Sequence, residues 1–387
     1  MSVELRPLGV LCNIACTYCY QAPQREAGNV ERRYSLDLMK AAVEAEGGPF
    51  TLFGGEPLLL PLEDLESLWS WGFERYGANS VQTNGVPIRA EHIELFRRYK
   101  VHVGLSIDGP GALNGLRKAR SGSRLSTDKA TERSERAIEW LCAEGIRPGL
   151  IVTLHRQNAS SEALPVLHNW FRKLDAMGIG SVVLHVLESE NEQIRAAHAL
   201  SSADNLEALL SLKRLEASLS GMRFTLFAEL RALLLGQDEK VSCVWTGCDP
   251  YTTRAVRGVE GFGKRTNCGR VNKEGVDFVK SDSAGFERYV TLYYVDQAHG
   301  GCAGCRFFLM CKGYCPGTSI AGDWRNRTEY CELWKGLFSA MEAELQQEGH
   351  VPLSVRADRT ALEHQMVGKW LSGQNPRLCN LLQTEER

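Results

Sequence analysis

Residues 8–20 read LGVLCNIACTYCY, and this stretch decides the fold. It places Cys12, Cys16 and Cys19 in a C-x3-C-x2-C pattern, with Tyr18 directly before the last cysteine. An apolar run over residues 3–11 precedes it and reads as a strand. Three thiolates on one short loop hold three corners of a cubane iron–sulfur cluster. The fourth iron has no protein ligand within the motif, and an open iron of that kind binds a substrate or cofactor directly. A zinc knuckle is the alternative, but a structural zinc takes four ligands and no nearby histidine supplies the fourth.

The whole chain fits this reading. Its 387 residues suggest two or three structural units. Hydrophobic residues make up 43% and charged residues 24%, which excludes a disordered or fibrous chain. A net charge of −2 argues against a protein that grips nucleic acid through phosphates. No apolar run approaches the ~18–20 residues of a membrane span. Glu4 and Arg6 stand where a signal peptide needs its apolar core, so a cytoplasmic location is expected. The 13 cysteines are clustered rather than spread as in a disulfide framework, which points to metal ligands.

Strand-like runs at residues 50–53, 80–83, 102–107, 149–154 and 181–187 follow the first one. Amphipathic segments at 35–45, 62–76, 90–99 and 132–144 separate them. This alternation predicts α/β architecture with a parallel sheet: a partial, six-unit TIM-like (β/α) barrel over residues 1–190. Residues 111–131, rich in Gly, Ser, Lys and Arg, read as a long loop. A helical connector is expected over 191–240 and a helical tail over 336–387. Residues 241–335 hold eight cysteines with little periodicity. They are expected to lack a large apolar core and to be ordered by metal.

Three further motifs fall at strand ends. Gly54-Gly55-Glu56-Pro57 follows the second strand, Gln82-Thr83-Asn84-Gly85 ends the third, and Leu105-Ser106-Ile107-Asp108-Gly109 ends the fourth. Parallel α/β folds place their chemistry at such carboxyl ends. Together with the cysteine loop, these motifs resemble the radical S-adenosylmethionine superfamily over about residues 8–190. The resemblance implies a 4Fe–4S cluster on Cys12, Cys16 and Cys19. S-adenosylmethionine would be bound at its open iron, near Tyr18, Gly54, Gly55, Glu56, Pro57, Asn84, Ser106 and Asp108. Glu56 would meet the methionine amino group. One electron from the cluster would cleave the sulfonium and yield a 5′-deoxyadenosyl radical, which abstracts hydrogen from an unactivated C–H bond.

A second constellation begins at Cys243. Cys248, Gly263 and Cys268 give C-x14-G-x4-C, followed by Cys302-x2-Cys305-x5-Cys311-x3-Cys315 and then Cys331. This resembles the SPASM extension, which carries two auxiliary 4Fe–4S clusters, three clusters in all. The resemblance assigns Cys243, Cys248, Cys268 and Cys315 to one and Cys302, Cys305, Cys311 and Cys331 to the other. Two zinc ribbons are the alternative, though C-x5-C-x3-C is unlike their C-x2-C pairs. Cys142 and Cys379 remain: the first reads as a packing thiol, the second as a packing thiol or a hydrogen donor.

The resemblance implies modification of peptides or proteins. The leading expectation is an oxidoreductase that cross-links a ribosomally made peptide through a C–C or thioether bond. The alternatives are a formylglycine maturase of the anaerobic sulfatase type, a peptide epimerase and a non-catalytic electron-transfer protein. The last has no use for residues 54–57 or an open iron. Sulfatase-maturing relatives carry Asp directly after the cysteine of G-x4-C, where this chain has Gly269. The first cluster cysteine is residue 12, so leader recognition is expected from a separate protein or another surface, and reduction from an external flavodoxin or ferredoxin. Asp249, Tyr251, Asp323 and Cys379 are candidate catalytic groups by position. Trp245, Arg257, Arg265 and Arg270 belong to a basic, aromatic segment that could meet an acidic or aromatic peptide.

Overall fold

The computed structural model describes residues 2–28, 32–189, 191–248, 256–271 and 285–385. The candidates Asp249 and Tyr251 lie outside the described residues. The strands are β1 (Val3–Arg6), β2 (Ile14–Cys16), β3 (Phe50–Leu52), β4 (Asn79–Thr83), β5 (Val101–Ser106), β6 (Arg117–Ala119), β7 (Gly149–Leu154), β8 (Ser181–Val186), β9 (Arg223–Phe224), β10 (Gly258–Glu260) and β11 (Arg265–Thr266). Nine of them form one sheet in the order β11-β10-β1-β3-β4-β5-β7-β8-β9. All its pairings are parallel except β10–β11. The six expected strands are all present, in consecutive order, and among the described residues the sheet ends at β11 and β9.

Alternation sets the two faces of the sheet. Val81, Val103, Leu105, Leu150, Val152, Val182 and Leu184 are buried. Their chain neighbours Gln82, Gly104, Ser106, Ile151, Val183 and His185 are only half-buried. The connecting helices include Leu36–Glu46, Leu62–Tyr76, Ala90–Arg98, Arg124–Ala143 and Leu164–Ala176. Their apolar stripes, such as Leu65, Leu68 and Trp69, are buried.

The chain divides into two compact units, residues 1–225 with 257–277, and residues 226–256 with 278–387. The expected helical connector is split near residue 225, because β9 pairs with β8 and joins the first unit. The β10–β11 hairpin joins the same sheet through β1, and a buried charge explains why. Arg6 is 2% exposed. Its Nε stands 3.0 Å from Glu260 Oε1, and Nη2 donates to Thr266 Oγ1 and to the Asn267 carbonyl at 2.7 Å. A Cβ at Gly258 would lie 2.3 Å from Arg6 Nη2, so only glycine leaves room for the guanidinium.

Two expectations are corrected. Residues 111–131 are not one long loop: they contain β6 and the first two turns of the helix Arg124–Ala143. Ser123 caps that helix by accepting from Ser126 N at 3.1 Å. Its inward face is polar: Thr127, Thr131 and Ser134 are buried, with Thr131 bonded to Asn114 at 3.0 Å and Ser134 to the Asn84 carbonyl at 2.8 Å. Hydroxyls satisfied inside the unit erase the apolar periodicity that would have marked a helix.

The cysteine-rich segment does build an apolar core. Trp245 packs against Tyr314, Trp334 and Phe338 at centroid distances of 5.2, 5.7 and 5.9 Å. Phe308 and Tyr289 meet Trp370 at 5.8 and 5.1 Å. Aromatics scattered without period along irregular backbone thus pack on the helices Cys331–Gln347 and Arg359–Leu371. Among the described residues no helix is long and apolar enough to cross a membrane.

Arg6→Met leaves Glu260 without its buried partner and should lower stability of the first unit by about 3 kcal/mol. Denaturant titration of the apoprotein measures this, and an unchanged midpoint would refute the anchoring role.

Candidate functional site

The cysteine loop is built on the end of β1 and pinned from three sides. Beneath it, Gly55 N donates to the Gly9 carbonyl at 3.0 Å and Glu56 N to the Leu11 carbonyl at 2.9 Å. A Cβ on Gly55 would lie 2.0 Å from the Leu11 oxygen, and one on Gly54, at φ +117°, 2.5 Å from the Gly9 oxygen. Both glycines are therefore required by backbone approach. On a second side β2 pairs with β6, setting Cys16 opposite Arg117. On the third, Arg120 Nη1 donates to the Cys12 carbonyl at 2.8 Å.

Glu56 is 1% exposed and ties two strand ends together. Its Oε1 accepts from Leu58 N at 3.1 Å and Thr83 Oγ1 at 2.8 Å, and Oε2 from Asn84 N at 2.8 Å. Burial pushes its pKa up to about 7 against these three bonds. Pro57 begins the short turn that Glu56 caps. Asn84 Nδ2 donates to Asn13 Oδ1 at 2.7 Å and stands 3.8 Å from Cys12 Sγ, so the end of β4 meets the cysteine loop. Ser106 Oγ, on the half-buried face, accepts from Gln82 Nε2 at 2.7 Å.

Asp108 is a fully buried hub. Oδ2 receives the Tyr18 hydroxyl, lies 3.2 Å from Arg117 Nε and 3.6 Å from His155 Nε2, while Oδ1 accepts from Thr153 N at 3.0 Å. Burial opposes its charge, but Arg117, His155 and Tyr18 prevail and hold it at about 2. The Tyr18 hydroxyl is pushed far up, by burial first. Asp108 thereby fixes Tyr18 within the cysteine motif and aims Arg117, whose Nη1 reaches 4.0 Å from Cys16 Sγ. Arg117 and His155 carry no local sequence signal. Only their convergence on Asp108 marks them.

Burial pushes Cys12 up to about 11 and Cys16 up to about 12, while Arg25 and Arg117 respectively work the other way. Buried thiols flanked by guanidinium groups suit an anionic metal cluster. Tetrahedral zinc, with Zn–S near 2.3 Å, needs its sulfurs roughly 4 Å apart. Among the described residues no three of the cysteines bring their sulfurs within 4.8 Å of one another.

In the second unit, Cys302, Cys305, Cys311 and Cys331 line one cavity together with Phe307, Phe308 and Trp334. Burial pushes Cys302 up to about 12 and also raises Cys311 well above the usual thiol range, and Arg288 and Arg327 favour the Cys302 thiolate. Arg288 is fully buried and, among the described residues, donates only to carbonyls: Trp324 at 2.7 Å, Lys312 at 3.0 Å, and Gly313 and Asn326 at 3.3 Å. The run at 323–327 therefore buttresses this cavity. A buried cation held by neutral oxygens matches an anionic cluster between the four thiolates. Cys248 and Cys315 are buried and Cys243 is exposed at φ +49°. Cys268 belongs to the first unit, where a Cβ on the adjoining Gly269 would lie 2.8 Å from Tyr20 Cε2.

The remaining candidates are engaged elsewhere. Asp323 grips Arg325 through both oxygens, which lowers its pKa. Cys379 is pushed up to about 11 by burial and by Glu239, beside Asp238, which accepts from Leu378 N and Cys379 N at 2.8 and 3.2 Å. Cys142 is half-buried at the end of the helix Arg124–Ala143. In the basic segment, Trp245 is core, Arg257 donates to the Glu46 carbonyl, Arg265 pairs with the Glu46 carboxylate, and Arg270 pairs with buried Glu188 over the Tyr20 ring.

Comparison with known proteins agrees with this geometry. Residues 7–164 match the Radical SAM superfamily. A serine-type anaerobic sulfatase-maturating enzyme of Klebsiella aerogenes is 30% identical over 219 residues, covering 52% of this chain and 50% of the relative. The chain thus aligns with about half the length of such curated relatives. The solved structure of native anSMEcpe with bound AdoMet superposes with a TM-score of 0.68 at 22% identity, covering 90% of this chain and 98% of that one. Streptococcus suis SuiB bound to its precursor peptide SuiA gives a TM-score of 0.53 at 16% identity, covering 86% and 76%. Residues 7–164 are thus similar to a radical SAM domain, and the fold is that of the solved anSMEcpe structure.

Gly55→Ala should displace the cysteine loop and weaken iron retention there roughly 10–100-fold, the usual scale for disturbed supporting contacts. Gly180→Ala, whose Cβ would meet nothing closer than 4.0 Å, serves as the neutral control in a chelator titration.

Proposed function

We propose that the protein is a cytoplasmic oxidoreductase that modifies a ribosomally made peptide, most simply by closing a C–C or thioether cross-link. In this reading Cys12, Cys16 and Cys19 hold the catalytic 4Fe–4S cluster. Cys243, Cys248, Cys268 and Cys315, and Cys302, Cys305, Cys311 and Cys331, hold the two auxiliary ones. Tyr18, residues 54–57, Asn84, Ser106 and Asp108 surround S-adenosylmethionine. When bound, cofactor and cluster supply a radical able to take a hydrogen atom from a peptide carbon.

The chain's own residues do the positioning. Gly54 and Gly55 set the height of the cysteine loop, and Asp108 fixes Tyr18 and Arg117 beside it. A cross-link removes two hydrogens from the peptide, one as an atom and one as a proton with an electron. The clusters that the auxiliary thiolates would hold would supply an acceptor for this electron, and an external donor of the flavodoxin or ferredoxin type would reduce the cluster on Cys12, Cys16 and Cys19. Leader recognition falls to a separate protein or to another surface of this one.

The observation that carries this reading is Gly269. The formylglycine reaction of the sulfatase enzymes uses an Asp at that position. Here the position is glycine, and a Cβ on it would stand 2.8 Å from the Tyr20 ring, so a side chain there would have to displace Tyr20. The second reading, formylglycine formation, draws on the sulfatase-maturating relatives. The peptide bound to SuiB and the Kp18Cys peptide bound to anSMEcpe favour a peptide substrate in either case.

Anaerobically prepared protein should hold about twelve irons per chain, from three cubanes, and the Cys12, Cys16 and Cys19 to Ala triple variant about eight. That variant should not cleave S-adenosylmethionine, and retained cleavage would refute the first assignment. With a peptide encoded beside this gene, the product should weigh about 2 Da less and resist fragmentation between the joined residues. A hydrazine-reactive aldehyde of the same mass would establish the second reading. Unchanged mass with deuterium at an α-carbon would instead indicate epimerisation.

A further inference from the structure

Between Asp108 and Asp128 the chain carries Arg117, Lys118, Arg120 and Arg124 and no Asp or Glu, although its net charge is −2. The fold lays this run over the cysteine loop. In the β2–β6 ribbon Cys16 stands opposite Arg117, and Ala15 opposite Lys118. Opposite residues share a face and successive residues alternate. Arg117 turns inward to Asp108, so Ala15 and Lys118, both exposed, form the outward face. Arg120 is exposed too, although its Nη1 reaches the Cys12 carbonyl at 2.8 Å. On the adjoining helix the Arg124 side chain is 93% exposed, 4.0 Å from Asp128 Oδ2, and Leu125 is 65% exposed. Among the described residues no carboxylate lies within 4.0 Å of Lys118 or Arg120.

We propose that this outward face, with Lys118, Arg120 and Arg124, is the docking surface for the external electron carrier, an acidic one-electron protein of the flavodoxin type. The proposal rests on the reading in which such a donor reduces the cluster on Cys12, Cys16 and Cys19. One electron leaves the reduced carrier and enters that cluster; no bond forms or breaks. A peptide must reach the other side of the loop, where Glu56, Asn84 and Asp108 converge. An electron needs only a short path, and Ala15 adjoins Cys16 in the chain. Exposed Leu125 offers an apolar contact that a protein partner covers and a small anion does not. Complementary charge of this kind steers association and speeds it roughly 10–1000-fold, an effect that salt screens.

Lys118→Glu with Arg124→Glu reverses two charges that do not hold the cysteine loop, whereas Arg120 is kept because it does. Arg97→Glu with Lys173→Glu makes the same change of net charge elsewhere: Lys173 pairs with Glu139, roughly 22 Å along the helix from Arg124. The probe is a purified flavodoxin of net negative charge, added to the reconstituted full chain. Interferometry measures its binding, and stopped-flow absorbance follows reduction of the cluster by its reduced form. At low salt the Lys118/Arg124 variant should lose roughly tenfold or more in both affinity and second-order rate. At about 1 M salt, where screening acts within ~3 Å, it should match the wild type. The Arg97/Lys173 control should stay near wild type throughout. Reduction by dithionite needs no docking and should be equal in all three; its failure in the wild type would remove the cluster reading instead. Unchanged flavodoxin affinity and rate in the Lys118/Arg124 variant, or an equal loss in the control, would overturn the proposal. So would weaker binding of an acidic peptide with flavodoxin binding intact, which would make this face a peptide site. Either single reversal should give part of the same loss, so the test holds even if the double variant fails to load iron.

Discussion

The close approach of two backbones governs the first unit. Gly54 and Gly55 lie so near the carbonyls of Gly9 and Leu11 that no side chain fits between them. This contact seats the cysteine loop on the carboxyl end of the parallel sheet. The Glu56 carboxylate, Asn84 and the Asp108 hub then converge on the same point from adjoining strand ends. A side chain at either glycine would tilt the loop away from every group that surrounds it.

Charge is distributed on the same plan in both units. Two of the cysteine groups have guanidinium groups beside them: half-buried Arg117 with Cys16 in the first unit, buried Arg288 and half-buried Arg327 with Cys302 in the second. Thiols pushed up by burial are poor ligands alone, and neighbouring cations lower the cost of their ionisation. Arg117 is neutralised by Asp108, whereas among the described residues Arg288 donates only to carbonyl oxygens. The second arrangement leaves positive charge over for a cluster carrying four thiolates.

Much of this was legible in the sequence, for identifiable reasons. The six parallel strands showed because their apolar residues run in short blocks between helical stretches. The cysteines that line one cavity in the second unit, Cys302, Cys305, Cys311 and Cys331, stand close in sequence. The strands β9 to β11 did not show: they are two or three residues long and carry Arg223, Glu260 and Arg265. What holds the β10–β11 hairpin is Arg6, some 250 residues away in sequence. The first two turns of the helix Arg124–Ala143 were hidden by buried hydroxyls, and the core of the second unit by aromatics without period. Asp108 stood in a recognisable motif, but Arg117 and His155 acquire meaning only from the fold.

The Asp108 hub also has a consequence for the order of events during synthesis. The loop at residues 12–19 leaves the ribosome first, yet Tyr18 is fixed by Asp108, and Asp108 by Arg117, Thr153, His155 and Asn158. Contacts that distant in sequence close late, because the intervening chain must be ordered before they form. The nascent cysteine loop is therefore slack until about 140 further residues have emerged. Iron loaded on the unfinished chain would meet thiols without their final geometry, so the fold itself postpones loading until the sheet stands through β7.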